Sequence, residues 1–205
     1  MYHKLYLDSI KKGIDNTIYS KDFKKITGDL FFNEVVLIIE KVKQKKGRLF
    51  FVGNGASAAF SNHMALDWSK NGGVLAKSLS DSAMLTALAN DYSYDEVFVE
   101  YLKIEKIDVN DLVVTISSSG NSRNIVAVLK YCNDNKISTI GFSGLKEDNK
   151  TTKLSEYSLY VPQKTYGQVE CIHQLFLHLW LDQFMKINEW DRDSVQNMNA
   201  SQFNL

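Results

Sequence analysis

The sequence predicts an α/β fold built on a parallel sheet, and three observations carry that prediction. From Arg48 onward, short apolar runs of strand length alternate with helical patterns. One run, Leu49 to Val52, ends abruptly at Gly53-Asn54-Gly55-Ala56-Ser57, just before a helix. A second, Leu112 to Ile116, ends at Ser117-Ser118-Ser119-Gly120-Asn121-Ser122, again before a helix. In parallel α/β folds this order of strand, small-residue turn and helix start leaves helix N–H groups facing an anion. Two such turns at the carboxyl edge of one sheet predict a phosphate site.

Residues 1–45 read as helices. Leu5, Ile10, Ile14 and Ile18 recur at near-helical spacing, and Phe32, Val35, Val36, Ile39 and Val42 form a clearer amphipathic stripe. The basic run Lys41 to Lys46 reads as a solvated helix end, favoured by the helix dipole. Five strands are expected at 48–53, 74–79, 111–116, 137–142 and 157–161. Helices are expected between them at 57–70, 81–90, 94–106 and 122–135, with a shorter one near 150–155. A long helix over 167–187 and a polar tail from Asn188 to Leu205 close the chain. Strands alternating with helices imply a sheet covered on both faces. Pro162 is the only proline and no composition break marks a second domain, so 1–205 reads as one domain with a helical extension (1–45), a core (46–187) and the tail (188–205).

At 205 residues the chain can bury a sizeable core, and 44% hydrophobic with 23% charged residues suits a soluble globular protein. Lys+Arg and Asp+Glu are equal at 24 each, so no net field draws the chain to nucleic acid or to a membrane surface. Cys132 and Cys171 lack CxxC spacing, which implies a reduced, cytoplasmic setting. No run has the length of a signal peptide core or a transmembrane span.

Ser117, Ser118, Ser119 and Ser122 can donate several hydrogen bonds to one phosphate, although serine at a helix start is also common as a simple cap. Neither turn carries the lysine of a P-loop or a GxGxxG pattern, which favours a small phosphate ester over a nucleotide. His63 and Asp67 stand four apart, on one helix face, a spacing that suits a metal or an acid/base pair. On the last helix Glu170, His173 and His178 interrupt an apolar stretch, and any one of these histidines could be a satisfied core residue. Glu170 and His178 are eight residues apart, about 12 Å along a straight helix. Their joint use in one site therefore calls for a kink or a second subunit, and an active site at a subunit interface is expected. In Asn90-Asp91-Tyr92-Ser93-Tyr94 the aspartate could simply end a helix or reach a sugar hydroxyl.

Taken together, the GNGxS turn, the helix with His63, the NDxxY stretch, the Ser-Ser-Gly-Asn-Ser loop and the final helix with His173 and His178 resemble the SIS (sugar isomerase) domain family, and within it the phosphoheptose isomerases. The resemblance covers nearly the whole chain. It implies a flavodoxin-like, three-layer αβα sandwich around a five-stranded parallel sheet, assembled as a homotetramer. It also implies an aldose–ketose isomerase that converts sedoheptulose 7-phosphate to a manno-heptose 7-phosphate for surface glycans. Carried over by motif, Ser57, Ser117, Ser118, Ser119 and Ser122 hold the phosphate, and Asn54, Gly55 and Asp91 contact the substrate. A divalent metal, usually zinc, falls on His63, Asp67, Glu170 and His178, with Asp67 as base and His178 as acid. Asp67 stands where the family usually has Glu, and Glu170 where it has Gln; both keep an oxygen ligand. Two rivals share the fold: a non-catalytic SIS protein that binds a replication-initiator-type partner or senses a sugar phosphate, and an isomerase of another sugar phosphate.

Overall fold

The computed structural model describes residues 1–187, so the tail expected from Asn188 onward lies outside it. The chain runs α1 (Tyr2–Asp15), β1 (Ile18–Lys21), β2 (Lys24–Ile26), α2 (Gly28–Gln44), β3 (Leu49–Gly53), α3 (Ala56–Lys70), β4 (Ala76–Ser78) and α4 (Ser82–Asp91). It continues with α5 (Val97–Ile104), β5 (Leu112–Ser117), α6 (Arg123–Asp134), β6 (Ser138–Gly144), α7 (Lys150–Leu154), β7 (Tyr157–Val161) and α8 (Tyr166–Met185). All seven strands belong to one sheet, in the order β2-β1-β7-β6-β5-β3-β4. From β4 to β7 the strands are parallel and match the five expected from the sequence.

The sheet is mixed and has seven strands, which corrects the expectation of a five-stranded, all-parallel sheet. The two extra strands form an antiparallel hairpin inside the segment that reads as helical, with β1 paired to β7. Ile18, which prolongs the helical stripe of Ile10 and Ile14, is in fact the first residue of β1. The hairpin turns at Asp22 and Phe23, both at positive φ (46° and 65°), the backbone of a tight two-residue turn that twists with its strands. Neither residue is glycine, so the usual sequence mark of such a turn is missing. β1 is also joined to β7 by a 2.6 Å hydrogen bond between the Ser20 and Ser158 hydroxyls.

Side chains alternate across the sheet, as strand geometry dictates. Leu49, Phe51, Leu112, Val114 and Ile116 face one core with α2, α3 and α8, where Trp68 and Trp180 meet at 4.8 Å. Phe50, Val52 and Val113 face a second core with α4, α5 and α6. The continuous apolar runs that mark β3 and β5 in the sequence follow from this double burial. Strand order reverses between β3 and β5: the chain leaves β3 for β4 on one side, then returns to β5 on the other. The crevice at the carboxyl ends of these two strands is where α/β sheets bind ligands. Both small-residue turns lie there.

Candidate active site

The two turns are shaped by their glycines. A side chain at Gly53 would meet the Ser57 backbone at 2.7 Å, so only glycine lets the chain fold back into α3 here. Gly120 has φ +63° and packs against the Asn149 side chain, leaving no space for a Cβ. Between the turns lies a cavity of about 120 Å³ lined by Asn54, by Ser57, Ser117, Ser118, Ser119 and Ser122, and by Tyr166 and Glu170 from the start of α8. A larger apolar groove of about 660 Å³ between α2 and α8, with Phe32 and Phe176 in its wall, gathers no such set of hydroxyls.

The fold uses the hydroxyls around the cavity only lightly: Ser119 Oγ accepts from the Asn121 N–H at 3.2 Å and keeps its own proton to donate. Ser122 occupies the cap position of α6 yet makes no capping bond; its Oγ lies 3.4 Å from the Ser117 Oγ. This removes the simple-cap reading of that serine. Gly55 leads α3 without a side-chain cap either, as do Met1 and Glu96 before α1 and α5, whereas α2, α4, α7 and α8 are each capped by Thr, Asp or Asn side chains. Ser118 Oγ is buried with no hydrogen-bond partner, a cost that an anion's oxygen would relieve.

Two turns further along α3 and α8 lies a second group. His63, Asp67 and His178 bring one ligand atom each within 4.8 Å of one another. His63 Nε2 is 3.2 Å from Asp67 Oδ2, and the two imidazole rings meet edge-on with centroids 5.1 Å apart. Two imidazoles and a carboxylate fit a divalent cation of borderline softness such as zinc, and the half-exposed His63 leaves a side open for further ligands.

The structure separates Glu170 from this trio. Helix α8 runs unbroken from Tyr166 to Met185, so Glu170 sits two turns earlier, at the serine cavity. The residue beside the trio is instead Gln174, whose Nε2 donates to His178 Nε2 at 2.8 Å while its Oε1 is buried without a partner. Its i, i+4 spacing to His178 is the sequence signal that could have found it. Asp91 is exposed and accepts from Asn90 at 3.0 Å, outside both groups within one chain. Asn54 lines the cavity, but its amide is bonded to Asn124 at 2.9 Å in both directions. Asn124 was not singled out by sequence; it follows the serine turn by two residues.

His173 is a structural histidine. It is fully buried, its Nε2–H donates to the Ser143 carbonyl at 3.0 Å, and burial pushes its pKa down to about 4, with that hydrogen bond opposing the shift. In the unfolded chain the imidazole takes up a proton near pH 6.5, whereas the folded chain resists until about pH 4. Between these limits the unfolded state holds the extra proton, so stability falls as pH falls. Urea unfolding at pH 7 and pH 4.5 is expected to show a loss of about 2 kcal/mol from this one group, absent in His173→Gln.

The sequence profile of the SIS domain matches residues 27–144, which span both turns and the sheet reversal. Phosphoheptose isomerase of Helicobacter pylori (strain Shi470) is 34% identical over 155 residues, 72% of this chain and 79% of that one. The chain belongs to the phosphoheptose isomerase group of the SIS domain family. A second phosphoheptose isomerase, from Aneurinibacillus thermoaerophilus, is 30% identical and shares 84% of this chain and 90% of its own length. The SIS fold itself is matched by the structure of phosphoheptose isomerase from Neisseria gonorrhoeae, at a TM-score of 0.76 over 91% of this chain and 96% of that one, with 22% identity. Among the described residues, no helix of this SIS chain is long and apolar enough to cross a membrane.

Proposed function

We propose that the protein is a cytoplasmic, metal-assisted aldose–ketose isomerase acting on sedoheptulose 7-phosphate to give D-glycero-D-manno-heptose 7-phosphate for surface-glycan synthesis. One observation carries this reading. The same two helices, α3 and α8, border a hydroxyl-lined anion cavity at one end and bear an imidazole–carboxylate cluster two turns away. An extended sugar with a phosphate at one end and a carbonyl at the other suits that layout. The identity with named phosphoheptose isomerases supports the choice of sugar.

Ser57, Ser117, Ser118, Ser119 and Ser122 hold the phosphate, whose binding energy, remote from the reacting carbons, fixes the sugar in place. His63, Asp67 and His178 are the side chains that would hold the cation, for which zinc is the choice by donor type. When bound, the cation polarises the two oxygens at the reacting carbons. Asp67 takes a proton from C1 of the ketose while His178 protonates O2, giving the enediol. Asp67 then returns the proton to C2 while the O1–H proton passes back to His178, so each group ends as it began.

Glu170 completes the site in an oligomer, a homotetramer by the family resemblance. Within one chain it is two helical turns from His178, and α8 has no kink to close that gap. Leu66 on α3 and Leu175 and Leu179 on α8 leave apolar surface exposed beside the cluster, suited to contact with a second copy that brings its own Glu170 near the cation.

Purified, folded protein incubated with sedoheptulose 7-phosphate is expected to form the heptose, and a chelator followed by zinc is expected to abolish and then restore turnover. No turnover in either condition would leave a sugar-phosphate sensor or scaffold. Faster turnover of a pentose or hexose phosphate would reassign the substrate.

A further inference from the structure

Asn54, Asn124 and Tyr94 form a closed hydrogen-bond clasp whose proton positions are all determined. The backbone N–H of Ile125 can only donate, and it lies 3.0 Å from Asn124 Oδ1, which fixes that amide. Asn124 Nδ2 must then donate to Asn54 Oδ1, and Asn54 Nδ2 to Asn124 Oδ1, each at 2.9 Å. With Asn54 so fixed, the Tyr94 hydroxyl, 3.0 Å from Asn54 Oδ1, is the donor there too. Asn124 is 2% exposed, so its amide belongs to the interior. Three separate pieces of chain meet at this point: the β3–α3 turn, the first turn of α6 after the serine loop, and the segment between α4 and α5. Arg123 makes the same join at the surface, reaching Asp95 at 3.4 Å.

We propose that Asn124 and Tyr94 are positioning residues of the phosphate cavity. They pin the Asn54–Ser57 turn to the start of α6, so that hydroxyls from both turns converge at a fixed spacing. Neither residue lines the cavity, and both act through Asn54, which does. Asn54 spends one of its two amide hydrogens on Asn124, and its Oδ1 accepts from both Asn124 and Tyr94, so the clasp fixes its orientation and leaves one N–H facing the cavity side. This inference rests on the phosphate reading of the serine cavity.

The test uses the full-length, metal-loaded protein and the variants Asn124→Ala and Tyr94→Phe. KM for sedoheptulose 7-phosphate and the affinity for inorganic phosphate, read by calorimetry, are measured side by side. Asn124→Ala is expected to weaken both by about tenfold, and Tyr94→Phe by about threefold, with kcat within about twofold, as loss of one or two ordered hydrogen bonds allows. Bound metal per chain stays at the unsubstituted value in both variants, because the His63 cluster is elsewhere. Unchanged KM and phosphate affinity in the variants, or a fall in kcat at constant KM, would overturn the inference. If Asn124→Ala does not fold, Tyr94→Phe decides alone, since it removes one oxygen from an exposed ring. Failure of the unsubstituted protein to bind phosphate would instead refute the phosphate reading, and the positioning role with it.

Discussion

Asp67→Asn is expected to lower kcat for heptose phosphate isomerisation by about a thousandfold, the scale of a lost general base. The substitution keeps the size of the side chain and an oxygen beside His63, but an amide cannot accept the carbon-bound proton. KM should move far less, because the serine cavity proposed for the phosphate is two helical turns away and is not lined by Asp67. In deuterated water the unsubstituted enzyme should wash label into the product at C2, and the variant should not. Metal content measured on the same samples separates loss of the base from loss of the cation. Asp67→Glu, which keeps the carboxylate on a longer arm, should retain most of the activity. Asp67→Asn with more than about a tenth of normal kcat would remove Asp67 from the base role.

Mixing two inactive variants is expected to restore activity. Glu170→Ala and His63→Ala should each fall below about 1% of normal turnover, since each removes a side chain proposed to hold the cation. If Glu170 serves the cluster of a neighbouring copy, dissociating and reassembling the two variants together yields some interfaces with one intact site. Random pairing of equal amounts puts the recovery at about a quarter of normal turnover. The physical reason is α8 itself. Its 20 residues form one continuous helix, which holds Glu170 and His178 at a fixed separation along the same rod. No recovery from a reassembled mixture would place Glu170 in its own chain's serine cavity, where its carboxylate would contact the sugar and not the cation.

The elements most readable from sequence were those whose local pattern and tertiary role agree. β3 and β5 are apolar on both faces because helices cover both faces, and a continuous apolar run has no other common reading beside a small-residue turn. The β1–β2 hairpin was hidden for the opposite reason. Its strands are half-buried (β1) or largely exposed (β2), its turn residues are Asp22 and Phe23, and Ile18 happens to continue the spacing of the preceding helix. Pairing with β7 makes it a strand, and no local preference announces that partner.

The same division holds at the site. Sequence alone determined the αβα class, the two small-residue turns at strand ends, and the i, i+4 pairing of His63 with Asp67, because glycine conformation, helix starts and i, i+4 spacing are local properties of the chain. Only the tertiary structure could decide which of those residues meet. It joined His63 and Asp67 to His178 across two helices, set Glu170 at the serine cavity, buried His173 against the Ser143 carbonyl, and closed Asn54 onto Asn124. Those contacts span as many as 115 positions, from His63 to His178, and they exist because the strand order reverses between β3 and β5 while α3 and α8 pack on the same face.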